Sequence, residues 1–254
     1  MMNKIPLHQN NNKIYTGRVR YLDVAKGMTI ILMILGHCAI PNYLAKIIFI
    51  FHMPLFFIVC GFLTLPNGNF DFRKKFNKLI VPYIIIFFAS IIPYYHLYNN
   101  FDIIYIFAFL KTRTLLHFNI NGGIGPIWFL PCYFISNYYI FKFRKITSYK
   151  VIFIVAFIIF TLSLIISKYI GELPFLIYQS SLGAVFIIVG YLCKKYRLVR
   201  NPYFVILGAI STILCLLYGD FSMYSSICKL WILQIIAGTF ITLIVFEICT
   251  LVSR

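Results

Sequence analysis

Long apolar runs separated by short polar and basic stretches dominate this chain. Eight runs stand out, near residues 24–41, 46–65, 79–98, 126–142, 151–169, 175–193, 203–219 and 229–252. Each is about 17 to 24 residues long, enough for a helix to cross a hydrocarbon core of about 30 Å. The pattern predicts an all-α, polytopic transmembrane helix bundle of about eight spans. Residues 1–17, with Gln9 and the Asn10 to Asn12 run, read as a polar N-terminal tail, and 18–254 as one transmembrane domain. The stretch 101–125 holds the apolar run IIYIFAFL, too short to span, and the turn-rich NINGGIG, so it reads as an outer-face loop. No apolar core occurs in residues 1–20, so no cleavable signal peptide is expected and the first span serves as its own anchor. Internal repeats and coiled-coil heptads are not evident.

Composition agrees with the pattern. At 61% hydrophobic and only 11% charged, the chain departs from soluble domains, where charged residues approach about a quarter. A formal net charge of +17 would suit a nucleic-acid partner if it were clustered on one surface, but it alternates between the loops. Lys4, Lys13, Arg18 and Arg20 precede the first run; Arg73, Lys74, Lys75 and Lys78 follow the second; Lys142, Arg144, Lys145 and Lys150 follow the fourth; Lys194, Lys195, Arg197 and Arg200 follow the sixth. With Arg254 these are seventeen, against five on the other side: Lys46, Lys111, Arg113, Lys168 and Lys229. That is a positive-inside bias, and it places both termini in the cytoplasm. The same basic loops would also attract anionic lipid.

Polar groups inside the runs are the candidates for chemistry, because an ionisable side chain at membrane depth costs about 2.5–3.5 kcal/mol on insertion scales. Asp23, Lys26 and His37 lie in the first run and His52 in the second. Eleven helical residues come to about three turns, so Lys26 and His37 share one face about 16 Å apart, and Asp23 falls on the same side. Orientation puts Lys26 toward the cytoplasm and His37 toward the outside, with His52 near the level of His37. Lys26 would also suit snorkelling to headgroups, and either histidine a packing role. The seven cysteines contain no CxxC pair and the five histidines no HExxH, so no metal site is expected. Gly61 in VCGF reads as a close helix contact, and Trp128 as an interfacial belt residue.

The strings YLDVAKGMTIILMILGH (21–37), FHMPLFFIVCGF (51–62), RKKFNKLIVPY (73–83) and GPIWFL (125–130), in that order, resemble the acyltransferase 3 family of bacterial membrane acyltransferases, especially its fucose 4-O-acetylase-like branch. The likeness covers roughly 18–200. It implies an inner-membrane, multi-pass O-acyltransferase that moves an acyl group, usually acetyl from acetyl-CoA, onto hydroxyls of surface or exported polysaccharide. His37 matches the family's essential first-helix histidine, with His52 expected to orient it or shape the pocket. Lys26 stands where many relatives carry arginine, which keeps the charge and loses the planar fork. Lys75 and Lys78 correspond to a paired arginine motif associated with the donor, and Arg20 also matches a family position. The resemblance implies about ten spans, so the closing helices are expected to be missing here. On this reading His37 is a general base or an acyl-carrying nucleophile, and the lysines attract CoA phosphates. An inactive truncated family member, or a non-enzymatic membrane transporter or scaffold, is the competing reading, although the inverted repeats of a transporter are not evident.

Overall fold

The computed structural model describes residues 19–63, 70–98, 125–144, 148–170, 176–198, 201–219, 221–223, 227–228 and 230–253. Eight α-helices occur among them: α1 Arg20–Gly36, α2 Asn42–Leu63, α3 Phe72–Tyr98, α4 Phe129–Arg144, α5 Tyr149–Ile170, α6 Ile177–Tyr196, α7 Pro202–Tyr218 and α8 Trp231–Val252. A 3-10 turn, Gly125–Trp128, leads into α4, and a two-residue antiparallel pair, Phe221–Ser222 (β1) with Ile227–Cys228 (β2), lies between α7 and α8. Each of the eight apolar runs overlaps one helix. Four helices, α2, α5, α6 and α8, are long and apolar enough to cross a membrane by length and composition. At 17, 16 and 17 residues, α1, α4 and α7 are about 24–26 Å long at 1.5 Å per residue. The expected tail at 1–17 and the outer loop up to residue 124 lie outside the described residues.

The core is built on α2 and α6, the most extensively packed pair among the described helices, with α8, α1, α4 and α5 around them and α3 against α4. Glycine sets the closeness of the central pair. A Cβ on Gly61 would stand 2.0 Å from the Ile187 carbonyl oxygen, and one on Gly190 2.4 Å from that of Ile58. The two backbones therefore touch, as Gly61 in the sequence suggested. Gly183 has the Phe57 ring and the Ser136 hydroxyl in the place of a side chain. That hydroxyl lies 2.8 Å from the carbonyl oxygens of both Cys132 and Ser180, tying α4 to α6.

Pro54 sits inside α2 and has no N–H for the Ile50 carbonyl four residues before it. Gly238 of α8 fits against that place: its missing Cβ would lie 2.7 Å from the Ile50 oxygen and 3.4 Å from the proline ring. Elsewhere some buried hydroxyls bond back to their own helices, as Thr29 does to Ala25 and Thr242 to Gly238, which satisfies those donors in an apolar bundle. The Asn201 side chain accepts from the N–H groups of Tyr203 and Phe204 ahead of Pro202, and that of Asp71 from Lys74 N–H, so α7 and α3 begin on side-chain caps.

The first helix differs from expectation. It was expected over 24–41 but starts at Arg20 and stops at Gly36, with His37 as its C-cap. Apolar composition runs on past residue 36, but Gly36 and Pro41 break the helix and the chain turns into α2. Trp128 also departs from the belt reading: it is buried in the core.

Candidate functional site

His37 and His52 share one local arrangement. The His37 Nδ1 lies 2.8 Å from the Met33 carbonyl oxygen and the His52 Nδ1 2.8 Å from that of Ile48, each four residues earlier. A carbonyl only accepts, so both Nδ1–H groups donate. In the neutral ring this leaves the lone pair on Nε2, the tautomer a base needs. The rings differ in access: His37 is exposed at the end of α1, and His52 is 4% exposed in the middle of α2.

Phe49 stands between them. Its ring meets His37 edge-on at 5.4 Å between centroids and His52 at 5.2 Å. Such edge-to-face pairs contribute about 0.5–1.5 kcal/mol beyond area burial. Phe49 thus lies against both rings, His52 being the residue expected to orient His37 or shape the pocket. Gly36 brings α1 against α2 here, since a Cβ on it would meet the Ile48 side chain at 3.1 Å.

The cationic candidates gather at the other end of the bundle. Phe246 of α8 touches Tyr21 near the start of α1 and Phe62 near the end of α2, so Arg20, exposed at the head of α1, lies at the level where α2 finishes. Lys26 is 2.6 Å from the Asp23 carboxylate, an i,i+3 pair. Lys75 reaches back from α3: its amine is 3.5 Å from the Asn137 Oδ1 and 4.4 Å from the centre of the Phe70 ring. Lys78 is exposed on the next turn of α3. The axial distance from Lys26 to His37 is about 16 Å, from 1.5 Å per helical residue. The structure brings His37 and His52 together at one level and Arg20, Lys26, Lys75 and Lys78 toward the other.

Two residues at this second level, Asn137 and Lys194, were not among the candidates read from the sequence. Asn137 of α4 accepts from the Cys60 thiol at 2.7 Å as well as lying beside Lys75, and Lys194 of α6 donates at 2.7 Å to the Phe62 carbonyl. That carbonyl is among the last of α2, where a cation is favoured by the helix dipole. Asn137 carried a signal in the sequence, an amide within the apolar PCYFISNYYI. Lys194 is one basic residue among several and carried none. A separate apolar cavity of about 470 Å³ opens between α4, α5 and α6, lined by Tyr139, Val155 and Ala184 among others, and includes none of the candidate residues.

A helical bundle with membrane-crossing helices and a polar level at each end is an integral-membrane architecture. Within that class the acyltransferase 3 family is the match: its acyltransferase domain covers residues 19–254, and the chain belongs to this family. It is a membrane acyltransferase. No curated protein and no solved structure matches the chain.

Proposed function

We propose that the chain is an O-acetyltransferase of the fucose 4-O-acetylase-like branch, carrying acetyl from acetyl-CoA to a hydroxyl of a cell-surface or exported polysaccharide or its precursor. The observation that carries this reading is the exposed His37, whose Nδ1 is held by the Met33 carbonyl so that Nε2 is its basic nitrogen. Nε2 takes the proton of the sugar hydroxyl as its oxygen attacks the thioester carbonyl; the tetrahedral adduct then collapses and the CoA sulfur leaves with the proton from the imidazolium. His52, behind Phe49, shapes the floor beneath that ring. Arg20, Lys26, Lys75 and Lys78 are the donor-phosphate residues. Among them Lys26 is paired with the Asp23 carboxylate, which offsets part of its charge.

The proposed setting is a bacterial inner membrane crossed eight times, with both termini and the basic loops in the cytoplasm. The shorter helices α1, α4 and α7 span it with flanking residues or local thinning. This topology makes an expectation at Cys38, which is exposed beside His37. In right-side-out spheroplasts a membrane-impermeant maleimide should label wild type and leave Cys38→Ser much less labelled; labelling of Cys38 only after lysis would reverse the orientation. The function itself is tested with purified protein, radiolabelled acetyl-CoA and a polysaccharide acceptor. Alkali-labile label on the acceptor is expected, and no transfer to any polysaccharide supports the non-enzymatic alternative.

A further inference from the structure

Helices α4 and α5 both pack on α6 but meet each other little, so a wedge opens between them. It is the apolar cavity of about 470 Å³, lined by the small side chains of Ala156 and Ala184 and by Tyr139, Phe143, Val151 and Val155. Those last four are exposed, so the wedge opens at the surface of the bundle, beside a helix long and apolar enough to cross a membrane. Its volume is many times the roughly 30 Å³ share of one water, and an apolar lining offers water few partners. Left empty, the walls would forfeit dispersion contacts. Hydrocarbon, the surroundings of a membrane-crossing helix, supplies them. The wedge also has one polar end. Tyr149 at the head of α5 stacks on Tyr191 of α6 at 4.2 Å, and Lys194, one turn further along α6, donates to the Phe62 carbonyl. The Phe143 and Val151 end therefore lies at the cationic level, away from His37. Lys142 and Lys150, each next in sequence to one of these two residues, are exposed there, and α5 turns the positive end of its dipole the same way. Between residues 129 and 200 the one acidic residue is Glu172, which follows the far end of α5 in the chain.

We propose that this wedge holds an acyl chain of an anionic phospholipid from the leaflet beside the basic loops, with the lipid phosphate at Lys142, Lys150 and the first turn of α5. A headgroup of net negative charge complements this end, and a zwitterionic one does so less. The position of the polar end decides against the tail of a lipid-linked acceptor, because a tail entering here would leave its sugar at the opposite level from His37. The bound chain replaces contacts that α4 and α5 do not make with each other, so it stabilises the bundle according to its occupancy.

The test uses the purified full chain in detergent with dioleoyl phosphatidylglycerol or dioleoyl phosphatidylcholine, which carry the same acyl chains. Unfolding temperature and the lipid retained per chain, counted by native mass spectrometry, are read together. Phosphatidylglycerol at about a hundred times its dissociation constant should raise the unfolding temperature by about 5 °C, with phosphatidylcholine giving less than half of that. Lys142→Gln combined with Lys150→Gln should lower the phosphatidylglycerol shift to the phosphatidylcholine level. The control pair Arg73→Gln and Lys74→Gln removes two exposed charges from α3, which does not line the wedge, and should change little. Val155→Trp, which fills the wedge from its exposed side, should abolish retention and shift with both lipids; should it fail to fold, Val151→Trp gives the same reading. Equal shifts by the two lipids in wild type, a shift that survives the tryptophan, or its loss in the control pair would overturn the proposal.

Discussion

Replacing His37 with alanine is expected to reduce acetyl transfer by about 10²- to 10⁴-fold, the usual contribution of a positioned general base, with donor affinity nearly unchanged. Affinity should hold because Lys26 lies about 16 Å away along α1 and the other cationic residues lie toward that same end. A second substitution separates the roles of the two ring nitrogens. Asn at position 37 keeps a donor that can reach the Met33 carbonyl, the bond made by Nδ1, but has no base where Nε2 stands. If His37 served only through its bond to the Met33 carbonyl, His37→Asn would retain activity; the proposed base predicts that it is as slow as His37→Ala. Since His37 is exposed, added imidazole should partly restore the alanine variant. Equal transfer rates in wild type and His37→Ala would remove the mechanism.

The largest effect on stability is expected at Gly61. The Cβ of Gly61→Ala would fall 2.0 Å from the Ile187 oxygen, 2.8 Å from the Tyr191 nitrogen and 3.0 Å from the Ile187 carbonyl carbon. All three atoms are backbone, so no rotamer change relieves the contact, and α2 must move away from α6. Overpacking of this kind costs about 1–3 kcal/mol or more, and the loss falls on the central helix pair. Gly27 is the control, because a Cβ there meets nothing within 4 Å. Gly27→Ala should be neutral or stabilise by about 0.5–1 kcal/mol through helix entropy. Thermal unfolding of both variants in the same detergent measures the contrast; similar unfolding temperatures would mean that the α2–α6 contact is looser than described.

The helices were legible because membrane-length apolar runs are a strong signal, and all eight recur as helices. Their ends were less so. Hydropathy continued through His37 and Cys38, whereas Gly36 and Pro41 decide where α1 stops, and this moved His37 from inside a helix to its cap. Pairing across helices was beyond reach: nothing along the chain says that Phe49 comes between two histidines or that Asn137 meets Cys60 and Lys75. Charge types were readable one by one, but the partnership of Lys26 with Asp23 and the approach of Lys75 to Asn137 depend on distances. Gly61 was readable as a close contact, while its partners on α6 were not.

The notch at Pro54 bears on how the protein is assembled. Ile50 of α2 carries a carbonyl that loses its usual helical donor at Pro54, and the segment that fits against it, at Gly238, belongs to α8, far later in the chain. Until α8 is made, α2 stands in the membrane with that side open to water, lipid or a passing helix. Closure of this face is thereby tied to a helix synthesised well after α2, and a chain stalled between the two would present quality-control proteases with a surface that the α2–α8 contact hides.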